Sequence, residues 1–175
     1  KFPKIIIESD FKKFLNNKLD GVIISVDTKL HFNIAKKCLD KGFNIFVEKP
    51  VTDSIKKLKS LDKLARSRNL FIMCGYIYYY NDYIKYIKKI LNKNYLGKIF
   101  YVSCERLNLG PVRSDINSAW DLSSHDVAIC NYLFDKNLTI TNIYGHDLLK
   151  KKINDVTLIS AKINQVKIDI RSSWL

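Results

Sequence analysis

Between residues 20 and 75, three short apolar runs alternate with two helical stripes, and few folds accept that order. GVIISV (21–26), FNIFV (43–47) and LFIMC (70–74) are continuous and rich in β-branched or aromatic residues. That is the pattern of short strands buried on both faces. After the first run, Ile34, Ala35, Cys38 and Leu39 mark one face of a helix beginning near His31, with Gly42 placed at its C-terminal cap. After the second, Thr52 or Asp53 is placed to cap a helix with apolar positions Ile55, Leu58, Leu61, Leu64 and Ala65. Parallel strands need such crossovers, so the stretch predicts part of a doubly wound parallel α/β sheet.

The pattern changes after residue 75. Tyr83, Ile84, Ile87, Ile90 and Leu91 define an amphipathic helix, and KIFYVSCERL (98–107) reads as a strand. A polar segment, 108–118, leads into a helix expected over about 120–134. Val166, Ile168, Ile170, Ser172 and Trp174 alternate with polar residues, a half-buried strand that pairs with 157–163 across Asn164-Gln165. Residues 1–75 therefore read as an α/β unit, and 76–175 as an α+β unit with an open, mostly antiparallel sheet.

Composition narrows the function classes. The chain is 47% hydrophobic and 27% charged, as in ordinary folded proteins. Its longest apolar stretch is far short of a membrane span. The net charge of +13 is spread over both halves, with 16 basic and 8 acidic residues in 1–75 and 14 and 9 in 76–175. A Lys-rich solvated surface accounts for that better than a nucleic-acid or membrane partner. The cysteines at 38, 74, 104 and 130 form no CxxC pair, which argues against a metal finger or a dithiol redox motif. Buried free thiols in a reducing compartment, the cytoplasm, are expected, with no metal site.

Some residues carry chemistry. Glu48-Lys49-Pro50 closes the second strand, and open α/β sheets bind ligands at the carboxyl ends of their strands. His31 follows the first strand at the same edge and suits a hydrogen-bonding role at a helix start. Asp121 and His125, four apart, share a helix face. A carboxylate beside an imidazole orients it and raises its basicity, as a general base requires; a structural pair is the rival reading. Arg106, Asn108, Arg113 and Asn117 crowd the segment before that helix and suit a phosphate or polyhydroxylated substrate, or else a solvated loop. Tyr76, Tyr78, Tyr79 and Tyr80 suit ring stacking or core packing. The six glycines lie far apart, and no GxGxxG occurs among the 175 residues.

Together, DGVIISVDTKLHFNIAKKCLDKGFNIFVEKPVT, MCGYIYYYNDYIKYIKKILNKNYLGKIFYV and WDLSSHD resemble the Gfo/Idh/MocA oxidoreductase family over about residues 15–134, in order and spacing. The RLNLGPVRSDINSAWDLSSHDVAICNYL segment is most similar to members acting on nucleotide-linked sugars. The resemblance implies a partial Rossmann domain for NAD or NADP over 1–75 and a partial substrate-binding domain over 76–175. The first βαβ unit with its glycine loop and the rest of the second sheet are expected outside this sequence. Lys49 would sit beside the nicotinamide and the reacting hydroxyl, His125 would exchange the proton, and Asp121 would orient substrate or His125. Val26 and Asp27, where the family commonly has Thr-Pro, would lie near the cofactor with His31 and Glu48. Tyr79, Arg106, Arg113, Asn117 and Asp121 would approach the sugar. A homo-oligomer built through the second sheet is also implied. The expected activity is hydride transfer between a nicotinamide cofactor and a hydroxyl carbon of a sugar or nucleotide-linked sugar. The alternatives are a non-catalytic binding domain on the same scaffold and, on charge alone, a nucleic-acid binder without a recognisable motif.

Overall fold

The computed structural model describes residues 4–175. The chain divides into two compact units, Lys1–Gly75 and Tyr76–Leu175.

The first unit opens with a single helical turn, α1 (Phe11–Phe14), capped by Asp10, whose carboxylate accepts from Lys12 N and Lys13 N. Three parallel strands follow, β1 (Gly21–Ile24), β2 (Asn44–Val47) and β3 (Ile72–Cys74), in the order β1-β2-β3. They are joined by α2 (Thr28–Asp40) and α3 (Ile55–Ser67). α2 ends as its sequence predicts. Gly42, at φ 88°, lets Phe43 N reach Cys38 O and Gly42 N reach Leu39 O, the paired bonds of a Schellman cap. Asn69, at φ 54°, plays the same part after α3, where Leu70 N donates to Ala65 O.

Two local expectations are corrected. α2 begins at Thr28, three residues before His31, so the histidine lies in its first turn. Neither Thr52 nor Asp53 caps α3: the N-cap position is Ser54, and Thr52 Oγ1 accepts from Ser54 N and donates to Ser54 O. Burial also differs from the two-sided pattern. Val22, Ile24, Ile45 and Val47 are buried with Ala35, Cys38, Leu39, Leu61 and Ala65, whereas Ile23 is 75% exposed and Met73 43%. Consecutive strands that always step the same way, joined by right-handed crossovers, place both helices on one face. Within the described residues the other face is open. Of the α3 stripe, Leu61 and Ala65 are buried, while Ile55 and Leu58 are exposed.

The second unit starts with a 3₁₀ turn, Ile77–Tyr80, and α4 (Asp82–Asn92), capped by Asn81 Oδ1 on Tyr83 N and Ile84 N. β4 (Tyr101–Leu107) precedes a loop and a π-helical turn, Ala119–Ser123, that runs into α5 (Ser124–Phe134). Then come β5 (Thr139–His146), β6 (Val156–Ile163) and β7 (Val166–Ser173). The sheet order is β4-β7-β6-β5. β6 pairs with β7 and with β5 antiparallel, and β4 joins β7 in parallel. The expected hairpin is present, with Ile163 opposite Val166 across Asn164-Gln165. Cys130 of α5 packs with Ile159, Ala161, Ile163, Ile168 and Ile170 to form the core.

Candidate active site

In the first unit the strand ends are level. Register places Ile24 beside Val47 and Val47 beside Cys74, so the segments after β1, β2 and β3 leave the sheet side by side. Lys49 is half-buried on the segment after β2, and the Lys49–Pro50 peptide is cis. His31 is 1% exposed, with Nδ1 2.8 Å from Pro50 O and Nε2 2.9 Å from Val26 O. Whichever nitrogen carries the proton, the ring spans the two carbonyls and ties the β1 segment to the β2 segment. Its part at this edge is structural, and Val26 and Asp27 stay exposed above it.

Glu48 lies across the end of β3. A Cβ on Gly75 would meet its carboxylate at 3.0–3.3 Å, so glycine is what gives that side chain its place. Burial, and then the nearby Glu48 carboxylate, push the Cys74 thiol up to about 11, which leaves it protonated and unreactive at neutral pH. A level row of parallel strand ends and an exposed ledge at Val26-Asp27 fit a nucleotide cofactor at this edge. Val26, Asp27, Glu48 and Lys49 are the residues at this edge that could hold it.

In the second unit the two residues expected to serve as an acid–base pair straddle two kinds of helix. The regular helix expected over 120–134 is instead the π turn followed by α5. Asp121 sits in the middle of the π turn and His125 in the first turn of α5. Such wide turns re-aim side chains and recur at functional sites. Buried hydroxyl pairs tie the turn to the sheet: Ser118 Oγ to Thr157 Oγ1 at 2.7 Å and Ser123 Oγ to Ser172 Oγ at 2.8 Å. Asn117 Oδ1 accepts from Trp120 N and caps the turn. Asp121 accepts from Trp174 Nε1 at 3.1 Å and from Arg113 Nη1 at 3.5 Å. Arg113 also grips Asp115 through both Nε and Nη2. The ring of His125 stands edge-on to Tyr78, with centroids 5.1 Å apart. Tyr79 packs on Tyr132 at 5.3 Å.

Sequence reasoning did not single out Asp126, yet it is the partner of Arg106. Nε of Arg106 donates to Asp126 Oδ2 at 2.8 Å, and Nη1 donates to Tyr78 OH at 2.8 Å. Burial pushes the Asp126 carboxyl above the usual range, against the pull of the guanidinium. Trp174 as a partner of Asp121 was also missed. Fifty-three residues separate them, and no local pattern links them. Cys104 and Cys130 are free thiols with sulfurs 3.9 Å apart. Among the described residues no group of His, Cys, Asp or Glu is placed to hold a metal, and no helix is long and apolar enough to cross a membrane.

Residues 4–76 match the model of an oxidoreductase family with an NAD-binding Rossmann fold, GFO_IDH_MocA. A UDP-N-acetylglucosamine 3-dehydrogenase from Acidithiobacillus ferrooxidans is 30% identical over 159 residues, 90% of this chain and 45% of the relative. The matched stretch, residues 4–76, is that of the Gfo/Idh/MocA oxidoreductase family. A 2,7-anhydro-N-acetylneuraminate hydratase from Mediterraneibacter gnavus is 24% identical over 57% of the chain and 27% of the relative. An inositol dehydrogenase homologue from Azotobacter vinelandii, solved with NADH and myo-inositol, superposes with a TM-score of 0.80 at 18% identity. That superposition covers 94% of this chain and 47% of the other, and it shows the shared fold. The chain thus spans about half the length or less of these relatives.

Proposed function

We propose that the whole protein is an NAD- or NADP-dependent dehydrogenase that oxidises a hydroxyl carbon of a sugar, with a nucleotide-linked sugar as the preferred class. The observation that carries this reading is the match to the UDP-N-acetylglucosamine 3-dehydrogenase over 90% of the chain, through both the Lys49 and the His125 segments. The match to the hydratase covers 57% and carries less.

A bound nicotinamide supplies the hydride acceptor. The chain's own residues do the rest. Lys49 places an ammonium at the end of β2, where a donor stabilises the alkoxide that forms as the hydroxyl loses its proton. His125 takes that proton, a step typically worth ~10²–10⁴-fold. Asp121, itself held by Trp174 and Arg113, orients the substrate or His125. Tyr79, Arg113 and Asn117 serve the sugar and its phosphates. The test is reduction of NAD or NADP by the whole protein, offered UDP-N-acetylglucosamine and myo-inositol side by side. Turnover of the nucleotide sugar that is lost in His125→Gln supports the reading. No turnover of either, or turnover that His125→Gln leaves intact, overturns it.

A further inference from the structure

We propose that Arg106, anchored by Asp126, is a positioning residue for His125 and acts through Tyr78. The inference rests on the reading of His125 as the proton acceptor.

Three contacts make the chain. The Asp126 side chain is 7% exposed and accepts from Arg106 Nε at 2.8 Å. The guanidinium then lies along the Tyr78 side chain, with Cζ 4.6 Å from the ring centroid and Nη1 donating to the hydroxyl at 2.8 Å. One cation thus fixes the phenol by face and by hydroxyl. The held ring meets the His125 imidazole edge-on, at 5.1 Å and 75° between planes. An aromatic pair of that geometry favours one imidazole orientation. A general base works only in a narrow range of positions, and small displacements are costly.

Energetics point the same way. Taking two charges out of water consumes most of their attraction, so a buried ion pair adds little net stability. What it supplies is fixed geometry. Here the geometry reaches from β4, through the 3₁₀ turn, to the first turn of α5, three elements that local sequence does not align. Arg106 thereby acquires a role distinct from the substrate contact that its place in the chain suggests.

Proton NMR of the imidazoles in the 175-residue chain reads the effect directly. The chain has three histidines, and loss of one signal in His125→Gln assigns His125. In Arg106→Met the His125 ring signals are expected to shift and broaden as Tyr78 is released, while those of His31 and His146 stay in place. Tyr78→Phe keeps the ring and removes only the hydroxyl, so it gives a smaller change in the same direction and remains readable if Arg106→Met melts. In the whole protein, both variants are expected to lower kcat, Arg106→Met by about tenfold or more, with KM little changed. His125 signals that stay put in a folded Arg106→Met or Tyr78→Phe, or an unchanged kcat, overturn the positioning role. Full turnover in His125→Gln overturns instead the assignment of His125 on which it rests.

Discussion

In the proposed reaction, Lys49 is the residue on which the chemistry turns. It lies outside the buried core and closes β2 at the strand-end edge. Lys49→Ala should therefore change stability by no more than about 0.5 kcal/mol, as for most substitutions away from a core. Loss of a preorganised donor to a developing oxyanion typically costs ~10²–10³-fold in kcat. Lys49→Arg should fail as well, because a planar fork does not replace a compact ammonium. Steady-state kinetics beside a thermal melt of the whole protein separate the two effects, and near-native kcat in Lys49→Ala removes Lys49 from the mechanism. Asp53 offers a purely structural contrast. Its hydrogen bond and ion pair with Lys57, at 2.8 Å, hold its carboxyl below the usual range against the opposing effect of burial. A lowered folded-state pKa means stability that is present above the unfolded value and lost as pH falls through the folded one. Asp53→Asn should cost about 0.2–0.5 kcal/mol at neutral pH. Its urea midpoint should converge with the parent's as pH falls through the lowered folded-state value, below which Asp53 is protonated in both states. A gap that persists there contradicts the ionic account.

At the scale of elements, the π turn is the piece most exposed to test. It carries Asp121 and is held to β7 by Ser123 and Ser172, 1% and 0% exposed and hydrogen-bonded to each other. Removing one hydroxyl leaves the other buried without that partner, at a cost of about 1–3 kcal/mol, whereas removing both spares the orphan. Ser123→Ala and Ser172→Ala should each destabilise, and the double variant should lose clearly less than the sum of the singles. Urea denaturation of the four proteins measures the coupling, and simple additivity would show that the two hydroxyls do not support one another.

For the whole molecule, the point at issue is what these 175 residues hold by themselves. They carry the strand ends and Lys49. They carry no GxGxxG turn, the element whose backbone N–H groups and helix N-terminus grip a dinucleotide pyrophosphate. NADH titrated against the 175-residue chain is expected to bind weakly, without saturation in a fluorescence titration. Tight, saturable binding would locate the phosphate grip on residues other than a glycine turn.

The sequence by itself determined the elements whose signals are local. Short β-branched runs, a 3.6-residue stripe and a glycine at a helix end specify β1, α2 and β2 through neighbours a few residues apart. Period-two alternation specifies the β6–β7 hairpin in the same way. The Glu48-Lys49-Pro50 motif was legible because a strand end announces itself. What the tertiary structure decided was every partnership made across distance. That α2 and α3 share one face of the first sheet follows from strand order, which no single run encodes. The π turn follows from buried hydroxyl pairs reaching 39 and 49 residues along the chain. Trp174 on Asp121, and Asp126 through Arg106 and Tyr78 to His125, exist only once β4, β7 and α5 are packed. Side-chain hydrogen bonds and ring contacts are short-ranged in space and indifferent to sequence separation, so the groups that orient the candidate base were the part no motif could show.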